Sequence, residues 1–262
     1  MEGTKLLKIE NVSKTFFKGT VNEKIAAKDL NLHVKSGDFV TIIGGNGAGK
    51  STLFNLISGV IIPDQGKITL DGEDITFLPE YKRAKKIGRI FQDPLKGTAP
   101  NMTVEENLSL SYCRGQGKTF AVGISKKERE LFRQILSELD LGLEDRMKTK
   151  MGLLSGGQRQ AITLIMATIV TPKLLLLDEH TAALDPATSK KVIELTETII
   201  ERDKITALMI THNIKSALKQ GNRTLMLRDG KIVLDISGEE RKKETVSSLL
   251  ERFDIDDDAL VF

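Results

Sequence analysis

GGNGAGKST, residues 44–52, decides how the rest of the chain is read. It follows FVTII (39–43), an unbroken apolar run of the kind buried on both faces of a parallel sheet. It runs into STLFNLISG (51–59), whose apolar residues have helical spacing and which ends at Gly59. Gly44, Gly49, Lys50 and Ser51 fit G-x-x-x-x-G-K-[ST] without a mismatch, in the strand–loop–helix setting the motif needs. Glycines let successive N–H groups converge on one anion, and the helix N-terminus adds its positive end. Lys50 can then reach β- and γ-phosphates, and Ser51 can ligate Mg²⁺. The bland alternative is a glycine-rich turn with an incidental lysine.

Two further stretches bear on this loop. LLLLDE (174–179) is a buried-strand pattern ending in two acids, and ligands of α/β sheets gather at the carboxyl ends of strands. Asp178 is placed to hold Mg²⁺ through water, and Glu179 to polarise an attacking water beside the γ-phosphate. A solvent-facing acidic pair is the plain alternative. LSGGQRQ (154–160) supplies an N-cap in Ser155, two glycines in Gly156 and Gly157, and then a long helix. This is a second helix N-terminus suited to an anion. The first loop already encloses its own nucleotide's phosphates, so the simplest ligand for the second is a phosphate bound by another subunit.

The remaining chain alternates strand and helix, which argues for a mostly parallel sheet. Strands are expected at 6–12, 30–35, 87–91, 174–178 and 206–211, with hairpin turns at Asp71-Gly72 and Asp229-Gly230. Residues from Asp93 to about Lys150 change character, with helices at 103–113 and 125–140 and no convincing strand, as in a helical insertion. Helices follow at 156–170, 186–202 and 213–220. The 262 residues carry a net charge of +3, too mild for the basic stripe of a nucleic-acid binder, and lack Trp for a stacking platform. Cys113 is the only cysteine, so no internal disulfide forms, which fits a reducing cytoplasm. No leader-like or membrane-spanning run is read, so a membrane role must come through a partner.

In these motifs the chain resembles the nucleotide-binding subunits of ABC transporters. GGNGAGKST matches the family's Walker A, LLLLDE its Walker B and LSGGQ its signature, in order, over about residues 5–236. The resemblance implies an α/β fold: a P-loop NTPase core with a mostly parallel sheet, an antiparallel β subdomain and an inserted helical subdomain. Residues 1–238 would form the ATPase domain, with the helical part at about 93–160. Residues 239–262 would be a short charged helix and an acidic tail containing DIDDD (254–258).

Carried over residue by residue, the resemblance makes Glu179, His212 and Gln92 the catalytic set. It assigns nucleotide binding to Phe16, Gly44, Asn46, Gly47, Gly49, Lys50, Ser51 and Thr52, and from the opposite subunit to Ser155, Gly156, Gly157, Gln158 and Asp185. Ser51, Gln92 and Asp178 would hold the metal. Phe16 stands where the family has tyrosine, with Phe17 as the next aromatic candidate. Gly45 stands where proline is frequent, and His180 where proline is typical; a structural role is expected for His180.

The implied ligands are ATP and Mg²⁺. The implied partners are a second copy or a similar ATPase subunit, a membrane permease and an extracytoplasmic solute-binding protein, with the chain at the cytoplasmic face of the membrane. The sequence is similar to ATPases of amino-acid uptake systems for tryptophan or tyrosine. A soluble ABC-type ATPase working on ribosomes or DNA is the main rival, though such proteins carry two domains or a long coiled coil. A P-loop kinase or switch GTPase is disfavoured by LSGGQ.

Overall fold

The computed structural model describes residues 5–114 and 123–253. DIDDD therefore lies outside the described residues. The strands are β1 (Lys5–Phe16), β2 (Lys24–Lys35), β3 (Phe39–Ile43), β4 (Gln65–Leu70), β5 (Glu73–Asp74), β6 (Ile87–Ile90), β7 (Leu174–Asp178), β8 (Thr206–Ile210), β9 (Arg223–Arg228) and β10 (Lys231–Ser237). The α-helices are α1 (Lys50–Ser58), α2 (Glu80–Arg83), α3 (Val104–Tyr112), α4 (Lys126–Ser137), α5 (Gly156–Thr168), α6 (Pro186–Arg202), α7 (Ile214–Lys219), α8 (Gly238–Lys243) and α9 (Val246–Phe253).

Six strands form the central sheet in the order β10-β9-β3-β8-β7-β6, parallel except for β10. Its middle strands β3 and β8 are buried at every residue, as expected of parallel strands covered on both faces. Val40, Ile42, Leu174, Leu176, Leu208 and Ile210 face a core shared with α1 and the second sheet. Leu175, Leu177, Ala207 and Met209 face a core shared with α3, α4, α5 and α6. The second sheet is antiparallel, order β2-β1-β4-β5. Both expected hairpin turns are present, with Asp71, Gly72, Asp229 and Gly230 all at positive φ.

Helix ends follow their sequence signals. Thr103 and Ser125 close reciprocal capping boxes with Glu106 and Glu128. Helix α1 stops at Gly59 in the left-handed region, φ 85°. There the guanidinium of Arg83, only 2% exposed, donates to the carbonyls of Leu56 (2.7 Å), Ile57 (3.0 Å), Thr76 (2.9 Å) and Leu78 (2.8 Å). One buried arginine thus ends α1 and ties it to the segment after β5.

Beyond Ser237 the sequence reading of a single charged helix is corrected. The described residues there form two: α8, exposed and charged, and α9, which buries Leu249. Leu249 joins Ile43, Ile214, Ala217 and Met226 in a third core, with Val246 and Leu250 of the same helix packed against it. Arg241 of α8 donates to Thr224 Oγ1 (2.9 Å) and to the carbonyl of Ala217 (2.9 Å).

Candidate functional site

Three neighbouring central strands deliver the site. β3 leads into the glycine-rich loop, β7 into Asp178 and Glu179, and β8 into Thr211 and His212. Two glycines of the loop are demanded by both conformation and space. Gly44 has φ 151°, and a Cβ there would sit 2.3 Å from the Leu227 carbonyl oxygen; Gly49 has φ 104°, and its Cβ would sit 2.7 Å from that of Ala26. Gly45 is unconstrained, with nothing within 4 Å of its Cβ position. Lys50 is 6% exposed, and its Nζ donates to the carbonyls of Gly44 (2.6 Å) and Gly45 (3.1 Å). Burial pushes its ammonium below the usual range, while the carboxylates of Glu179 and Asp178 oppose the shift.

The loop residues 46–52 line a cleft of about 410 Å³, completed by Phe16, Lys24, Ala26, Gln92, Glu179 and His212. The structure thus brings together most of the residues singled out in the sequence. Gly44 instead lines a second cavity, between the loop residues 45–48 and residues 226–229. Phe17 is excluded from the cleft: it is 70% exposed, whereas Phe16 is half-buried. Asp178 does not line the cleft either; its Oδ2 lies 3.5 Å from Arg89 Nη2. Lys24, opposite Phe16 in the β1–β2 register, was not visible as a site residue, since only that pairing brings it to the loop.

Glu179 has a left-handed backbone, φ 46°. Its N–H donates to the Ile210 carbonyl at 3.1 Å, fastening the end of β7 to β8. Its Oε1 lies 2.5 Å from His212 Nε2. A carboxylate and an imidazole so paired can orient a water and move its proton.

Behind this pair is a further chamber of about 340 Å³, whose lining includes Thr181, Ala182 and Leu184. Glu179 and His212 line both it and the loop cleft, so they form the shared wall. His180, 3% exposed, also lines the chamber, and its Nε2 lies 3.2 Å from Thr196 Oγ1. The Thr196 hydroxyl donates to the Val192 carbonyl (2.7 Å), so the imidazole is the donor to Thr196. Burial pushes the His180 pKa down to about 4, so the ring is neutral near pH 7.

The second anion-type helix end is elsewhere. Ser155 Oγ accepts from Gln158 N–H and Gln158 Oε1 accepts from Ser155 N–H, both at 3.3 Å, a reciprocal cap on α5. Ser155, Gly157 and Gln158 line a groove of about 530 Å³ against α6, and neither they, Gly156 nor Asp185 line the loop cleft. Both glycines are closely approached by side chains of the segment 184–188 of the same chain. A Cβ on Gly157 would stand 2.1 Å from Thr188 Cγ2, and one on Gly156 3.4 Å from Leu184 Cδ2. Asp185 caps α6, its Oδ1 accepting from Thr188 N–H at 3.0 Å, and those hydrogen bonds hold its carboxyl below the usual range.

Comparison with known proteins agrees with this geometry. A family model described as ABC transporter matches residues 27–182. The chain is 47% identical to a tyrosine transport ATP-binding protein of Clostridioides difficile, over 95% of this chain and 99% of that one. It is 37% identical to a methionine import ATP-binding protein of Enterococcus faecalis, over 87% of this chain and 64% of that one. Among solved structures, a dimeric ATP-binding cassette in a post-hydrolysis state with ADP and Pi superposes with a TM-score of 0.74 at 31% identity, covering 88% of this chain and 98% of that one. The ADP conformation of another ABC transporter cassette gives 0.78 at 28% identity, over 97% and 100%. The strand–loop–helix at 39–58, the acids ending β7 and the capped signature helix are thus found together in a chain that belongs to the ABC transporter family, as one of its ATP-hydrolysing, ATP-binding subunits.

Proposed function

We propose that the chain powers uptake of an aromatic amino acid of the tyrosine type, by closing and opening a head-to-tail dimer around ATP beneath a separate membrane permease. The observation that carries the dimer is the separation just described. One chain presents its phosphate loop and its signature helix N-terminus on different cavities, so a nucleotide held by both needs a second copy. The dimeric cassette with ADP and Pi supports this arrangement, and the 47% identical tyrosine transport relative supports the cargo. No described helix is long and apolar enough to cross a membrane. In this reading a separate permease forms the pathway and an extracytoplasmic binding protein captures the solute.

In this reading the loop N–H groups and Lys50 bind the β- and γ-phosphates, and the Phe16 ring takes the adenine face. Glu179 orients the attacking water and accepts its proton, with His212 holding the carboxylate in place. Ser155, Gly156 and Gly157 of the second copy, with its Gln158 and Asp185, complete the far side of the nucleotide. Among the described residues no cluster of His, Cys, Asp and Glu could hold a metal alone. Ser51, Gln92 and Asp178 instead offer a few hard oxygens, which suits Mg²⁺ shared with phosphates. Bound there, Mg²⁺ would neutralise charge developing on the phosphates. Transport requires that ATP favour the closed dimer over the open one, and hydrolysis removes that preference.

The test has two steps. A tagged chain is purified from native membranes in mild detergent and its companions identified by mass spectrometry. A multi-span protein is expected, with a solute-binding protein; ribosomes, DNA or soluble proteins alone would sink the transport reading. Cells lacking the chain should then lose uptake of labelled tyrosine, and unchanged uptake would remove that cargo.

A further inference from the structure

The arginine in IGRIF lies on the same strand face as the acid that ends β7. In the parallel β6–β7 register Arg89 pairs with Leu176, and Asp178 is two residues further along, on the same side. Arg89 is half-buried and held at three points. Its Nη1 donates to Ser58 Oγ in the last turn of α1 at 3.0 Å, its Nη2 approaches Asp178 Oδ2 at 3.5 Å, and its guanidinium carbon sits 4.6 Å from the Phe91 ring centre. Its Nε is buried without a hydrogen-bond partner. An arginine used only to brace β6 against α1 would need the Ser58 bond and nothing at Asp178. The fork instead spans both, and the ring of Phe91, next to Gln92, limits its freedom.

We infer that Arg89 is a positioning residue for Asp178. Anchored by Ser58 and Phe91, it fixes the orientation of the carboxylate that ends β7, and so tunes how strongly metal and nucleotide bind together. This rests on the reading of Asp178 as a metal-side carboxylate. Carboxylates that approach a metal are commonly oriented by a hydrogen-bond partner behind them, and loss of such a partner costs about 10- to 100-fold in metal affinity.

The test uses the whole chain and a fluorescent mant derivative of AMP-PNP, titrated with Mn²⁺ and separately in EDTA. The ratio of the two affinities measures coupling between metal and nucleotide, independent of turnover. For Arg89→Met the metal-free affinity should stay within about twofold of the parent while the ratio falls about tenfold. Arg89→Lys keeps the charge but not the fork, and Ser58→Ala removes an anchor; each should lower the ratio about threefold. Unchanged ratios, or metal-free affinity falling in parallel, would overturn the inference. If Arg89→Met fails to fold by circular dichroism, the lysine and Ser58 variants decide. A parent chain that binds the nucleotide but shows no Mn²⁺ enhancement would remove the metal reading itself, and this inference with it.

Discussion

His212 Nε2 lies 2.5 Å from Glu179 Oε1, so the segments leaving β7 and β8 end in one paired unit at the phosphate loop. Glutamine at 179 keeps the size and a hydrogen bond to the imidazole but has no proton-accepting carboxylate. Glu179→Gln should therefore bind ATP, lower the hydrolysis rate by about 10²- to 10⁴-fold, and accumulate as a dimer. Phosphate release and light scattering in saturating Mg-ATP check this; a protein that stays monomeric would count against the shared site.

A Cβ on Gly157 would stand 2.1 Å from Thr188 Cγ2, so an alanine there requires the Thr188 side chain to move. Gly157→Ala should lower stability by about 1–3 kcal/mol, as other overpacked cores do. Thr188→Ala removes the obstructing methyl and should restore much of the loss in the double variant, giving a non-additive cycle in urea unfolding. Additive effects would contradict a packing role for the missing side chain at 157.

His180 gives the fold a pH dependence whose sign follows from its burial. Its folded pKa, about 4, lies below the ordinary value of 6.5, so between these pH values the unfolded chain binds more protons. The contribution is full above about pH 6.5, is lost as pH falls toward 4, and totals about 3 kcal/mol. His180→Gln, which keeps a donor for Thr196 but does not titrate, should flatten the stability profile over that window. Identical slopes in parent and variant by chemical unfolding at pH 4.5 and 7 would reject this.

Arg83 makes four hydrogen bonds to carbonyls in a place no water reaches. Arg83→Met should cost roughly 3–5 kcal/mol, because those acceptors are left bare. As α1 begins with Lys50, nucleotide binding should weaken too, measured on whatever fraction remains folded. Full stability in thermal melts would contradict the capping role.

Much of this structure was legible in the chain because its apolar runs are bracketed by sharp signals. FVTII, LLLLD and the helix from Pro186 to Arg202 have the bounds read from the sequence. β1 and β2 extend further than the stretches read as strands, to Phe16 and from Lys24, because these segments pair through register shifts and their residues do not alternate between buried and exposed. The cleft was legible for the motif residues. Lys24 and Arg89 were not, since each depends on a partner strand's register. Burial of Arg83 was equally hidden: an isolated arginine in YKRAKK reads as a solvated face, and only the end of α1 above it says otherwise.

Leu184 touches two features of the fold at once. It lines the chamber behind Glu179 and His212, and its Cδ2 lies against the position a side chain on Gly156 would occupy. The leucine is therefore a mechanical link inside one subunit. A change in the size of the side chain at 184 would disturb the chamber wall and the first turn of α5 together.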